Sequence, residues 1–231
     1  MNYSFPINTR IDNFLVFFKL GFLLKIKNRI KTFKNLLKNS KKDVRFLEIG
    51  PGTVRIKGFE TMNIIDSEIV DYIVDISLGI TPFEENTFDL IYCSHLFEHI
   101  PWYMIDDVFK ELNRILKSDG QLEIWVPDAY KICKVLVDYE ETDLDNTSLD
   151  GWYRFNENKD PIKWAAGRIF TYGDGLGNLY HHNWHRGLFT EKYLKRVFSE
   201  AGFIKVEKMG NDQVRGYDHG WINLGVKGNK I

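Results

Sequence analysis

From residue 44 to residue 128 the sequence alternates short apolar runs with helical patterns, and each run stops at a glycine, an acid or another polar residue. A strand buried on both faces is a short continuous apolar stretch, so this alternation predicts a sheet joined by crossover connections. The runs are residues 44–49, ending at Gly50; residues 61–65, ending in Asp66; residues 71–76, which contain Asp75; residues 89–94; and residues 121–126, closed by Pro127-Asp128. Residues 105–117 predict an amphipathic helix, with Val108, Leu112, Ile115 and Leu116 on one stripe and Ser118-Asp119-Gly120 as its stop.

Residues 130–139 predict a further helix, after which periodicity fails. The stretch 140–188 is acidic at first, then rich in Trp, Tyr, Gly and His. A long irregular segment inside a compact domain is usually functional. Regular structure returns with Thr190 as N-cap, a helix to Ala201 and Gly202 as its stop. Residues 203–207 and 221–226 read as a final strand pair. The expectation is a doubly wound α/β domain over residues 43–231, carrying an insertion at 140–188 and preceded by a basic helical segment, residues 1–42.

The formal charge of −1 hides an asymmetry, because residues 1–45 hold eleven Lys and Arg against Asp12 and Asp43. Within them Lys27, Lys31, Lys34 and Lys38 share one helical face, and Ile26, Ile30, Phe33 and Leu37 another. That pattern suits an interfacial helix on anionic lipid, and equally a helix docked on the domain or on a second subunit as a homodimer. The acidic remainder and the lack of a recognised motif argue against nucleic acid. The apolar run from Phe14 to Leu24 contains Lys19 and is neither a convincing membrane span nor a signal peptide. Cys93 and Cys133 form no closely spaced framework, which fits a reducing cytoplasm, with membrane association left open by the basic helix.

Glu48-Ile49-Gly50-Pro51-Gly52 follows the first strand directly, and glycines there let a ligand approach the backbone. Asp66 lies at the end of the next run, where a carboxylate can accept both hydroxyls of a ribose. A dinucleotide fold uses similar parts. Here, however, the register gives Gly50, Gly52 and then Val54, and about eight residues after Gly52 are too few for a crossover helix at a pyrophosphate.

At this point the chain resembles the class I S-adenosylmethionine-dependent methyltransferases, within them the small bacterial branch found with surface-polysaccharide biosynthesis. The resemblance covers roughly residues 44–128 and 185–207. It rests on FLEIGPG, the acid of NIID, VDISLGITPFEENTFDLIYCSHLFEHIP, ELNRILKSDGQLEIWVPD and FTEKYLKRVFSEAGF, in that order. It implies a Rossmann-like methyltransferase sheet, mostly parallel with an antiparallel last strand, and S-adenosyl-L-methionine as cofactor with S-adenosyl-L-homocysteine as product. By the same resemblance Glu48, Gly50 and Gly52 border the methionine part of the cofactor, Asp66 its ribose, and Asp75 with Ile76 its adenine edge. Ser94 and His95 close over the sulfonium. Two departures stand out: Ser118-Asp119-Gly120 replaces the family's Pro-Gly-Gly, and the first crossover helix is nearly absent.

Ser94-His95-Leu96-Phe97-Glu98-His99 contains H-x-x-E-H, a zinc-binding spacing when carried on a helix. Pro101 disfavours helix at Ile100, and no third ligand of known spacing accompanies the motif, so no metal is expected. The segment resembles instead the family's loop between cofactor and acceptor. Methyl transfer from a sulfonium is an in-line displacement, and a neutral hydroxyl acceptor needs a base. The candidates are His95, His99, His181, His182, His185, Glu98 and Asp128. His99 leads from its place after the fourth strand, and His185 because NWHRGLF resembles the family's F-H-[KR] element. The aromatics Trp152, Tyr153, Trp164, Phe170, Tyr172, Tyr180 and Trp184 would form a lid that stacks on a sugar, or simply pack. The expected reaction is methyl transfer to an oxygen of a small molecule or glycan precursor. The alternative is a non-catalytic protein of the same fold, a membrane-associated partner in glycan assembly.

Overall fold

A computed structural model describes residues 21–142 and 155–231. A helix, α1 (Gly21–Asn39), precedes the strands β1 (Phe46–Ile49), β2 (Phe59–Asn63), β3 (Tyr72–Ile73) and β4 (Phe88–Ser94). Then come α2 (Ile105–Ile115), β5 (Leu116–Pro127), α3 (Ala129–Glu141), α4 (Pro161–Phe170), α5 (Glu191–Glu200), β6 (Phe203–Met209) and β7 (Asn223–Lys230). The seven strands form one sheet in the order β3-β2-β1-β4-β5-β7-β6, with β7 antiparallel to both neighbours and the other pairings parallel. This is the Rossmann-like methyltransferase sheet with its antiparallel last strand. Its order reverses beside β1, and ligands of such sheets sit at the carboxyl ends of the strands flanking that switch.

Leu47, Ile49, Ile91, Cys93, Leu122, Ile124 and Val126 project from one face of the sheet into the main core. Helix α2 covers them because Ile105, Val108, Phe109, Leu112 and Ile115 recur at i, i+3, i+4 and i+7, and all five are fully buried. Each such side chain contributes about 1.5–3 kcal/mol on leaving water. Asp106 and Asp107 complement the helix N-terminus, and the chain turns extended at Leu116, two residues before the stop expected at Ser118.

The opposite face carries Phe59, Leu90, Tyr92 and Trp125, covered by Ile56 and Val214 from irregular segments. No helix follows β1. Its place is taken by turns at 51–58, anchored where the buried Glu48 carboxylate accepts the Ile56 N–H. Burial raises the pKa of Glu48, opposed by that bond and by Arg55.

Helix α1 docks on β3 through its polar side. Thr32 Oγ1 accepts the Ile73 N–H, Asn35 donates to the Asp71 carbonyl, and Asn39 donates to the Tyr72 hydroxyl. Lys27 and Lys31 reach the Asp66 carboxylate at 3.0 and 2.5 Å. Ile26, Ile30, Phe33 and Leu37 lie exposed. The helix is therefore docked on the domain, by the side that carries Lys27 and Lys31.

Burial opposes ionisation of Asp66, and the two lysines outweigh it, so its pKa is lowered. A depressed carboxylate pKa contributes stability above its unfolded value of about 3.9, and that stability is lost as pH falls through the folded value. Asp66→Asn should therefore loosen α1 by about 1 kcal/mol, since both lysines are partly solvated. Hydrogen exchange would show faster amides in residues 21–39 with β4 and β5 unchanged. Unaltered protection in α1 would mean that the polar contacts to β3 suffice.

Candidate active site

Glycine is obligatory at position 50, where φ is +75° and an added Cβ would lie 2.5 Å from Leu96 Cδ1. The Gly50 N–H donates to the Met62 carbonyl, which brings Asn63, the last residue of β2, level with the glycine turn. Asn63 is the polar side chain at that strand end. Asp66, read from the sequence as the ribose acid, stands three residues farther on and is engaged by α1. The strand expected over 61–65 is β2, Phe59–Asn63, and already ends at the asparagine.

The third strand also shortens, from the expected 71–76 to Tyr72–Ile73. Asp75 caps a short 3₁₀ turn, accepting from the Ser77 N–H and hydroxyl at 3.0 and 2.6 Å, and Ile76 is buried in the core. Ser94 closes β4, and His95 follows with φ +50°, an uncommon conformation for a side-chain-bearing residue. His95 is fixed from three sides. Its N–H donates to the Trp125 carbonyl, its ring stacks on His219 with centroids 3.6 Å apart, and its Nε2 lies 2.8 Å from Asn223 Oδ1.

Beyond it the chain makes one 3₁₀ turn, Phe97–His99, and turns extended at Ile100 before Pro101, as the proline requires. The Glu98 carbonyl accepts the N–H groups of Arg186 and Gly187 at 2.6 and 3.0 Å. This backbone pairing lays the segment after the insertion across the H-x-x-E-H turn and delivers His185 to Glu98. The rings of His99 and His185 meet edge to face with centroids 4.8 Å apart. His185 Nε2 lies 4.0 Å from Glu98 Oε1, and His95 Nδ1 lies 3.4 Å from it. His185 comes from 86 residues beyond His99, and the three residues Glu98, His99 and His185 bring ligand-type atoms within 4.8 Å of one another.

Glu98 is fully buried. Burial pushes its pKa up, but the hydrogen bond from His95 and the surrounding imidazoles hold it down to about 2. Burial lowers His182, His185 and His219 each to about 4, so these three rings are neutral at neutral pH. His181 sits at the rim, its Nδ1 accepting the Asn183 N–H. Asp128 caps α3, accepting from Tyr130 and Lys131, and is spent structurally. Sequence reasoning missed His219 and Asn223 as members of this cluster. The signal for Asn223 was a polar residue opening a buried strand.

His185 also opens onto a cleft of about 780 Å³ lined by Trp102, Tyr103, Phe170, Arg186 and Tyr193 among others. Trp102, Tyr103 and Phe170 are exposed, whereas Trp164 is core, stacked on Trp221. Trp152 and Tyr153 lie outside the described residues. Among the described residues no helix is long and apolar enough to cross a membrane.

Residues 66–124 match the family model described as a methyltransferase domain. No curated protein matches the chain. Among solved structures it is similar to a SAM-dependent methyltransferase from Archaeoglobus fulgidus, at 14% identity over 90% of this chain and 99% of that one, with a TM-score of 0.46. It is also similar to the phosphoethanolamine N-methyltransferase 2 of Haemonchus contortus, at 15% identity over 85% and 52%, with a TM-score of 0.45. A third is the CurJ carbon methyltransferase, at 15% identity over 80% and 48%, with a TM-score of 0.44. The chain thus spans about half the length of the last two. The family match covers residues 66–124, from just after β2 into β5, within a sheet whose order is that of the Rossmann-like methyltransferase fold.

Proposed function

We propose that the protein transfers the methyl group of S-adenosylmethionine to an oxygen of a small molecule or sugar precursor, in the assembly of a bacterial surface polysaccharide. The observation that carries the choice of oxygen is the pair of histidines beside ionised Glu98 at the carboxyl end of β4. A carbonyl only accepts, so the Nδ1 of His99, 3.4 Å from the Trp184 carbonyl, and that of His185, 2.9 Å from the Arg168 carbonyl, both carry hydrogen. Each ring is left with a bare Nε2. Such a lone pair takes a hydroxyl proton as the oxygen attacks the methyl group, while the scaffold aligns donor and acceptor. Exposed Trp102, Tyr103 and Phe170 supply flat apolar faces for a sugar ring, and Arg186 a charge for a phosphate or carboxylate on it.

In this reading the cofactor lies over Gly50 and Gly52, and its ribose falls to Asn63 rather than Asp66. S-adenosylhomocysteine at about a hundredfold its Kd should then add about 2.7 kcal/mol of stability. For a domain of this size that raises Tm by about 5–10 °C. Asn63→Ala should weaken the binding by about 0.5–1.5 kcal/mol, while Asp66→Ala leaves it nearly unchanged. The opposite order of the two variants returns the ribose to Asp66, and no thermal shift in the wild type favours the non-catalytic alternative. Incubation with methyl-labelled cofactor and a panel of sugar nucleotides tests the acceptor class, and label appearing on amines alone would sink the oxygen assignment.

A further inference from the structure

We infer that Glu98, His99 and His185 form a binding site for one divalent first-row transition-metal ion. Glu98 accepts only, and its Oε2 is buried with no hydrogen-bond partner among the described residues. The ligand atoms of the three residues all lie within 4.8 Å of one another. Because both Nδ1 atoms donate to backbone carbonyls, what each neutral ring has left is an Nε2 lone pair, and that of His185 lies 4.0 Å from Glu98 Oε1.

His95 adds to the imbalance. Asn223 Nδ2 donates to Asp218 at 2.7 Å, so its Oδ1 faces His95 and fixes the hydrogen on Nε2. With Nε2 so occupied, the His95 Nδ1 that faces Glu98 at 3.4 Å is a lone pair unless the ring is cationic, when it donates. A buried carboxylate ringed by acceptors is unfavourable unless a positive charge or a proton stands among them. A proton on an imidazole or on Glu98 itself, or a metal cation, can do so.

Two features favour the metal. Histidines that ligate a metal donate their other ring N–H to a carbonyl or carboxylate, as both do here. Two imidazoles and one carboxylate are a ligand set of zinc enzymes and of non-haem iron sites, which keep an open position. The inference rests on the donor geometry alone. It deepens the proposed function only in that a metal in the open site would polarise the acceptor oxygen, with the histidines acting as ligands.

The test uses the full chain, stripped with a chelator and titrated with zinc against a chromophoric competitor. One zinc per chain is expected. Affinity should fall by at least about 100-fold in His99→Ala and His185→Ala, beyond the 10–100-fold that loss of an outer-shell partner costs. Glu98→Gln keeps the side chain's shape and should lose affinity comparably, whereas His181→Ala should match the wild type. S-adenosylhomocysteine binding in each variant reports folding independently, and its survival without zinc keeps this inference separate from the methyl-transfer reading. A wild type that takes up no zinc, or folded variants that bind it as the wild type does, would overturn the site and leave a proton shared between His95 and Glu98 in its place.

Discussion

Glu60→Ala is expected to destabilise the domain by about 3–5 kcal/mol, the range for removing one partner of a buried ion pair. Glu60 lies in β2 with 1% of its surface exposed, and its carboxylate accepts from Arg45 Nε and Nη2 at 3.1 and 2.9 Å and from the Tyr72 hydroxyl at 2.5 Å. Arg45 is itself buried, with its guanidinium over the Phe88 ring. Alanine leaves that cation without its counter-charge in a dry site. Folding stabilities run at about 5–15 kcal/mol, so the variant should unfold at much lower urea with an unchanged m-value, and melt about 10 °C or more below the wild type. Replacing the pair together, Arg45→Met with Glu60→Leu, should recover most of the loss, because well-packed apolar groups often match a buried ion pair. A single variant within 1 kcal/mol of wild type would mean that water reaches Arg45.

The sign of the pH effect follows from the same geometry. Burial raises the pKa of Glu60, and the bonds from Arg45 and Tyr72 more than reverse this, so it is lowered overall. Its contribution is complete above the unfolded carboxylate value of about 4.3 and disappears as pH falls through the lower folded one. Acid denaturation of the wild type should therefore be steep there and shallow in the doubly apolar variant.

Glu60 also explains why β2 was misplaced from sequence. A charged residue reads as a strand boundary, so the run was begun at Thr61. The strand in fact starts at Phe59 and carries Glu60 inward, to a partner in the segment before β1. By contrast β1, β4 and the second half of β5 were legible, because their runs are mostly apolar and each ends at a glycine or polar residue, even though Glu48 and Glu123 are buried too. Helix α4 was passed over, although Asp160-Pro161 is a capping signal and the Asp160 side chain accepts the Lys163 N–H. The flanking glycines and aromatics of the irregular stretch masked it. Half of the candidate site was visible as H-x-x-E-H. The other half depends on the backbone pairing of Glu98 with Arg186 and Gly187, and such pairing leaves no trace in side-chain pattern. Likewise the lysines of α1 left lipid and docking open, because nothing local marks Asp66 as the partner of Lys27 and Lys31.

His99→Ala and His185→Ala are each expected to lower kcat by about 10²–10⁴-fold with cofactor affinity nearly constant, the range for a positioned proton acceptor. Both rings group with Glu98, and His185 Nε2 lies 4.0 Å from its Oε1, so the loss should fall on the chemical step and not on S-adenosylmethionine binding. The pH profile then assigns the role. A base works only when neutral, and burial holds His185 down to about 4, so a rate governed by His185 should rise through about pH 4 and be flat across the neutral range. Glu98→Gln should raise that limb's cost in another way: Coulomb attraction from the carboxylate favours the imidazolium, so its removal lowers the His185 pKa further and moves the limb to still lower pH. Dependence on added zinc separates the two uses of the same lone pairs. If the chelated wild type keeps its full rate and only the alanine variants lose theirs, the histidines act as bases. If chelation alone reproduces the loss and zinc restores it in the wild type but not in His185→Ala, they act as ligands. Full activity in both variants would remove the cluster from the reaction, and with it the reason for placing the acceptor's oxygen there.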